Sequence, residues 1–251
     1  MKDNYSTIGQ WSNFIHELIN YGDYGKRIKS NKIEYHFNHL VWSHEGPIDC
    51  FDIKKIYPGI KGKMSSLKSS YLNMDSIKRA KYRMDNKIGT SWSISLQNRD
   101  KNYTEQDHCM VSMVIYKGTK NHYDITVFYR TTEVCRKFLF DLVFLRDEVL
   151  PLLGIRDYDI TFMFTRLTLS YIFLHTIFLM DDTYYPEGTS QILGGDFWGG
   201  YLNYVNWMLS MEERGSMLRS HWRHFQTFRK TDKFKKVYSI LKDNYYDAGT
   251  D

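Results

Sequence analysis

The stretch from Asp107 to Asp141, DHCMVSMVIYKGTKNHYDITVFYRTTEVCRKFLFD, constrains the fold more than any other part of the 251-residue chain. Met110 to Tyr116 is strand-like, and Tyr123 to Tyr129 alternates Ile125, Val127 and Tyr129 against Asp124, Thr126 and Phe128. That period of two predicts a half-buried strand, and the polar turn around Gly118 predicts a hairpin. Cys109 stands just ahead of the first strand, and the second delivers Arg130, Thr131 and Glu133. Asp141 follows eleven residues after Arg130, at the head of the next apolar segment. A nucleophile, a cation and a carboxylate are thereby tied to one small sheet, which reads as an active site. Each also has a plainer role open to it. Cys109 fits a buried strand cysteine, Arg130 fits an ion pair with Glu133 or Glu148, and Asp141 fits the N-cap of a helix beginning at Leu142.

The bulk properties set wide bounds. A hydrophobic content of 42% and a charged content of 25% suit a soluble globular protein, and 251 residues can bury a full core as one large domain or one and a half small ones. Three cysteines, Cys50, Cys109 and Cys135, show no spacing of a disulfide framework, and the start MKDNYSTIGQW has no apolar signal core. A reducing cytoplasm is the expected setting. Ile160 to Met180 is apolar enough to test as a membrane span, but Arg166 and His175 within it argue for buried strand and helix instead.

In order, Trp11, Phe14, Ile15, Leu18 and Ile19 recur at helical spacing, so residues 8–21 are expected to be an amphipathic helix stopped by Gly22. Ile33 to Trp42 reads as a strand. His36, His39 and His44 lie close together, but no cysteine or ordered carboxylate completes a zinc set, and no metal is expected. Gly46, Pro47, Pro58, Gly59 and Gly62 mark residues 45–75 as loops. Lys78, Arg79, Lys81, Arg83 and Lys87 read as a solvated helix face or a phosphate receptor. Trp92, Ile94 and Leu96 alternate as a short strand. Leu142 to Leu153 reads as a helix disturbed at Pro151 and closed by Gly154, and Asp159 to Phe173 as strand and then helix. A core over residues 1–180 and a helical, basic and aromatic extension over 181–251 are expected. In that extension Leu218, Trp222, Phe225 and Phe228 stand among seven cations from Arg219 to Lys236. Such a helix packs its apolar flank under long cations, or stacks on and neutralises a nucleic acid.

Residues 107–153 resemble the thymidylate synthase superfamily, and within it the dCMP hydroxymethylases of T-even phages. In that family a cysteine precedes a strand ending in a Gln-Phe-Tyr-Val-like run, and a second strand leads to Arg-Ser-x-Asp. A base-reading residue lies eleven positions after the arginine. Cys109 matches the nucleophile, Tyr116 the strand-end tyrosine, Arg130 the phosphate-binding arginine, and Asp141 the base reader. Thr131 and Glu133 stand where serine and aspartate are usual.

The resemblance implies a homodimeric α+β fold with a mixed sheet, in the host cytoplasm if the chain is phage-encoded. It implies 5,10-methylenetetrahydrofolate as carbon donor and a pyrimidine nucleotide as substrate. The chemistry would be C5 transfer after thiolate addition to C6. Asp141 in place of asparagine implies dCMP, because a protonated carboxyl donates to cytosine N3 and accepts from N4. Arg27 is implied as a further phosphate ligand, and Arg83 with Lys87, or Lys78 with Arg79, as the pair reaching across subunits. The sugar-binding pair falls on Tyr171-x-Phe173 or on Leu202-x-Tyr204-x-Asn206. The family's tryptophan-rich helix with its catalytic glutamate has no clear counterpart in residues 45–75, and its C-terminal lid is replaced by the basic tail.

Overall fold

The computed structural model describes residues 6–21, 25–29, 32–57, 60–97, 109–119 and 122–170. In the tail it describes Leu209, Ser210, Gln226, Arg229, Lys230, Asp232, Lys235 and Ser239. Helix α1 (Thr7–Tyr21) leads into β1 (Gly25–Lys29) and β2 (Lys32–His44). Three helices follow, α2 (Phe51–Ile56), α3 (Lys61–Tyr71) and α4 (Met74–Asp85). Then come β3 (Ser91–Ser95), β4 (Met110–Lys117) and β5 (Tyr123–Glu133). α5 (Lys137–Phe144) runs through a π-helical turn into α6 (Leu150–Leu153), and β6 (Tyr158–Ser170) ends the core.

The strands form one mixed sheet in the order β1-β2-β6-β5-β4-β3. The expected hairpin is β4 with β5, antiparallel, with Ile115 opposite Ile125. β5 and β6 run parallel, and α5–α6 is the crossover that parallel neighbours require. The remaining pairs are antiparallel. A mixed sheet with flanking helices is of the α+β class that the resemblance implies.

Alternation decides which face is covered. Ile125, Val127 and Tyr129 of β5 and Ile160, Phe162 and Phe164 of β6 are buried, whereas Asp124, Thr161 and Met163 point the other way. On the buried face the aromatic rings interlock. Phe138 of α5 meets Phe162 edge-on at 5.0 Å and Trp42 at 5.3 Å, and Tyr129 lies 5.2 Å from Phe164. Trp11 of α1 is fully buried, and its indole N–H donates to the Val134 carbonyl. These contacts fix α1 and α5 to the centre of the sheet, where each aromatic removes a large apolar area from water.

Two segments differ from the sequence reading. Residues 45–75 contain α2 and α3 rather than loops alone. Asp159 to Ser170 is strand, as expected, and the helix expected to follow it lies outside the described residues. The helix after β5 begins at Lys137, not Leu142. Gly154 ends α6 in the left-handed conformation, φ 74°, as expected. The π turn Leu145–Val149 precedes Pro151. Proline has no N–H for the carbonyl four residues back and its ring crowds that carbonyl, so a widened turn relieves both.

Among the described residues no helix is long and apolar enough to cross a membrane. The described tail positions Leu209, Ser210, Gln226, Arg229, Asp232, Lys235 and Ser239 are helical. Trp222 and the other stacking candidates lie outside the described residues.

Candidate functional site

β4 opens with an irregularity that aims Cys109. Met110 pairs with Tyr129 but Ser112 pairs with Phe128, so one extra residue is accommodated on β4. Such a bulge bends the strand and redirects its end. The Cys109 carbonyl accepts from Arg130 N–H at 2.9 Å, which anchors it beside β5. Its own N–H donates to the Tyr71 hydroxyl at 3.1 Å, at the last turn of α3. The thiol is free and half-buried. Burial raises its pKa and the Asp141 carboxylate adds to that rise, while the positive charge of Lys137 and then Arg130, and a hydrogen bond with Tyr71, oppose it. The thiol rests protonated, with two cations and a phenol near it that favour the thiolate.

Asp141 lies one turn into α5 with 3% of its surface exposed. It therefore caps nothing. Glu133 instead ties the turn before α5, its carboxylate accepting from Cys135 N–H at 3.0 Å and Arg136 N–H at 2.9 Å, while the N-cap residue Arg136 makes no side-chain capping bond. Burial pushes the Asp141 carboxyl up to about 8, against the pull of the Tyr129 hydroxyl and of Lys137. At neutral pH it is a carboxylic acid, able to donate as well as accept. Tyr71 and Tyr129 both feel the charges of Asp141 and Cys109, and burial raises both phenols. Cys109, Asp141, Tyr71, Tyr129 and Lys137 thus form one cluster, with Arg130 at its edge.

The other expected residues divide. Thr131 is half-buried beside Arg166 of β6. Glu133 is buried, and its oxygens also face Ser170 N–H at 3.5 Å. Glu148, the other carboxylate weighed against Arg130, pairs with Lys68 at 2.8 Å. The backbone of Arg27 lies in β1 opposite Glu34, which in turn pairs with Ser170, so it sits at the same end of the sheet as the cluster. Its side chain is outside what is described. Arg83 and Lys87 stand at the far end: the strand after them pairs Ser91 with Tyr116, six residues along β4 from Met110 and roughly 20 Å away. Within one chain they do not reach Cys109. Tyr171, Tyr204 and Asn206 lie outside the described residues.

Sequence reasoning missed Tyr71, Tyr129 and Lys137 as members of the site. Tyr129 carried a signal, since it immediately precedes Arg130 on the buried face. Tyr71 carried none, being 38 residues from Cys109.

The histidines His36, His39 and His44 do not converge. His44 is bonded to the Thr7 hydroxyl and the Gly46 carbonyl, each at 2.9 Å, while His36 faces Arg166. His39 is exposed, with φ 56°. At the opposite end of β5, His122, Asp124 and Asp159 bring ligand atoms within 4.8 Å of one another. The imidazole lies 3.2 Å from Asp157, and its pKa is raised, first by the hydrogen bond with Asp157 and then by Asp159. A cleft of about 520 Å³ opens near Pro47, Arg146, Pro151 and Arg156 and includes none of Cys109, Arg130 or Asp141. Cys50 close by is buried and its thiol is pushed up to about 12, first by burial, so it is inert. The cleft and the Cys109 cluster are therefore separate features of the fold.

No protein-family model and no curated protein matches this chain.

Proposed function

We propose that the protein activates C5 of a pyrimidine deoxynucleotide, dCMP in the first place, by adding the Cys109 thiolate to C6 of the base. This is the chemistry of one-carbon transferases of the thymidylate synthase and dCMP hydroxymethylase type. The observation that carries the reading is a half-buried free thiol beside a buried carboxyl held neutral near pH 7. A neutral acid at that point matches the N3 acceptor and N4 donor of cytosine with one donor and one acceptor of its own.

The step balances without a further reagent. The thiol loses its proton, the S–C6 bond forms, and the electrons of the C5–C6 double bond move to C5. There they take a proton from water, which sets up exchange of the C5 hydrogen. Loss of the other hydrogen from C5 and departure of sulfur restore the ring. Lys137 and Arg130 favour the thiolate that starts this sequence.

5,10-Methylenetetrahydrofolate is the electrophile that the resemblance implies. Helices α2 and α3, where the family's tryptophan-rich helix would lie, contain no tryptophan and no glutamate; their one acid is Asp52, and their aromatic residues are Phe51, which is exposed, and Tyr71. That set does not match the tryptophan and glutamate that the resemblance implies for a pterin. No step is therefore routed through folate. A homodimer is supported by Val41, Met163 and Phe128, which meet in register on the outer face of the sheet, with Val41 55% and Met163 40% exposed.

A nucleotide binder without turnover is the second reading, favoured by the burial that keeps the Cys109 thiol protonated. Either reading predicts that dCMP shields Cys109 from iodoacetamide more than dUMP does, with Cys50 and Cys135 unreactive in the folded protein. Peptide mass spectrometry after alkylation measures this. Equal labelling of Cys109 with and without every pyrimidine nucleotide would remove the nucleotide site altogether.

A further inference from the structure

His122 is not among the histidines whose spacing bears on a metal in the sequence, yet it stands at the centre of a ligand set. It closes the β4–β5 turn, where its N–H donates to the Thr119 carbonyl at 3.1 Å and its carbonyl accepts from Gly118 N–H at 2.9 Å. Asp124 of β5 and Asp159 of β6 are in register on neighbouring parallel strands. Alternation places both on the outer face of the sheet, opposite the buried Ile125 and Ile160. Two carboxylates directly across a strand spacing repel each other, and a cation between them offsets that cost.

The distances suit an ion with short bonds. His122 Nε2 lies 3.3 Å from Asp159 Oδ2 and 4.0 Å from Asp124 Oδ1. Tetrahedral ligands with bonds of about 2.0–2.2 Å stand roughly 3.3–3.5 Å apart. The first pair already has that separation, and the Asp124 side chain, 59% exposed, has room to close the second. The outer contacts are those of a ligating set. Nδ1 lies 3.2 Å from Asp157 Oδ1, which holds a proton on Nδ1 and leaves Nε2 to face the two acids. Asp159 Oδ1 accepts from Gly46 N–H at 2.7 Å, so Oδ2 is the oxygen turned to the imidazole. Metal-bound histidines and carboxylates are regularly oriented in this way through their second polar atoms. The acids also raise the imidazole pKa, Asp157 first, and the field that holds a proton there attracts a metal ion too.

We propose that His122 Nε2, Asp124 and Asp159 bind one divalent transition-metal ion, Zn²⁺ in the first place, with Asp157 and the Gly46 N–H orienting the ligands. An imidazole among the donors favours Zn²⁺ over Mg²⁺ and Ca²⁺, which take oxygen ligands. On binding, the ion displaces any proton on Nε2, and water fills the remaining position at this exposed edge. It ties the β4–β5 turn, the start of β6 and the loop after β2 to one another. Tyr123, next to His122, stands six residues along β5 from Tyr129, roughly 20 Å. The ion site is therefore separate from the Cys109 cluster and does not rest on the function proposed for it.

The test is calorimetric titration of the full chain with Zn²⁺ and, separately, with Mg²⁺. Wild type and Cys109→Ala are both expected to take up a saturable equivalent of Zn²⁺, which shows that the thiol does not hold it. His122→Ala should lose that equivalent, and Asp157→Ala should weaken it about 10- to 100-fold, as loss of an orienting partner does. Mg²⁺ should give no saturable binding. Absence of a saturable Zn²⁺ equivalent on wild type, or one that persists in His122→Ala, overturns the site. Should His122→Ala fail to fold, wild type decides. Zn²⁺ is expected to protect His122 from diethyl pyrocarbonate, with Mg²⁺ giving no protection, as read by peptide mass spectrometry. Modification of His122 that Zn²⁺ leaves unchanged overturns the site.

Discussion

Asp141→Asn is expected to exchange the base preference from dCMP to dUMP, shifting the ratio of kcat/KM values by at least about 100-fold. The side chains are nearly the same shape, so the change is one of donors and acceptors. The Asp141 carboxyl is 3% exposed and held up to about 8, so near neutrality its O–H donates to cytosine N3 and its carbonyl accepts from N4. An asparagine amide offers N–H to uracil O4 and accepts from N3–H. Each mismatch strands buried polar groups, at about 1–3 kcal/mol apiece. In wild type, kcat/KM for dCMP should also fall as pH rises through about 8 and the donor is lost. Hydrogen release from C5 of each nucleotide, measured from pH 6 to 9, checks both points. An unchanged preference in the variant would mean that the base is read elsewhere.

The folded protein should lose stability as pH rises from about 4 to about 8, and Asp141→Asn should remove most of that slope. Burial raises the carboxyl from 3.8 to about 8. Below 3.8 the group is protonated whether the chain is folded or not. Between the two values the unfolded chain releases a proton that the folded one keeps, so the balance moves toward unfolding. Across the window this is roughly 5 kcal/mol. Glu133, raised from 4.5 to about 7 mainly by burial, adds to the slope over its narrower range. His122 acts in the same direction, because the charge that Asp157 stabilises is lost as pH rises. His44 opposes it, since burial lowers its pKa and acid must charge it. Urea unfolding of wild type and variant at pH 5.5 and 8.5 separates the Asp141 contribution from the rest. A wild-type slope that the variant fully retains would show that this carboxyl is not buried.

The hairpin, α1, β2 and the stop at Gly154 were legible because each is a local pattern: period two, period 3.6, or a glycine after an apolar run. α3 was not. Its sequence, KGKMSSLKSSY, has four serines and only Met64, Leu67 and Tyr71 toward the core, so the glycines and prolines around it dominated the reading. β6 was legible as an apolar run, but the strands β5 and β2 that pair it as far as Ser170 are not visible from within the segment. Spacing alone drew Cys109, Arg130 and Asp141 together. The alternative role of Asp141 as a cap does not hold because α5 starts four residues earlier, at Lys137, which places Asp141 inside the helix. Tyr71 joins the site only through a long-range contact, which no periodicity encodes.

The central claim is that Cys109 activates C5 of a cytosine nucleotide, and release of tritium from [5-³H]dCMP tests it most directly. Wild type and Cys109→Ala would be compared on dCMP and dUMP, each with and without methylenetetrahydrofolate. The account predicts release from dCMP that exceeds release from dUMP, persists without folate and vanishes in the variant. Release from neither nucleotide, or release that survives in Cys109→Ala, would contradict it.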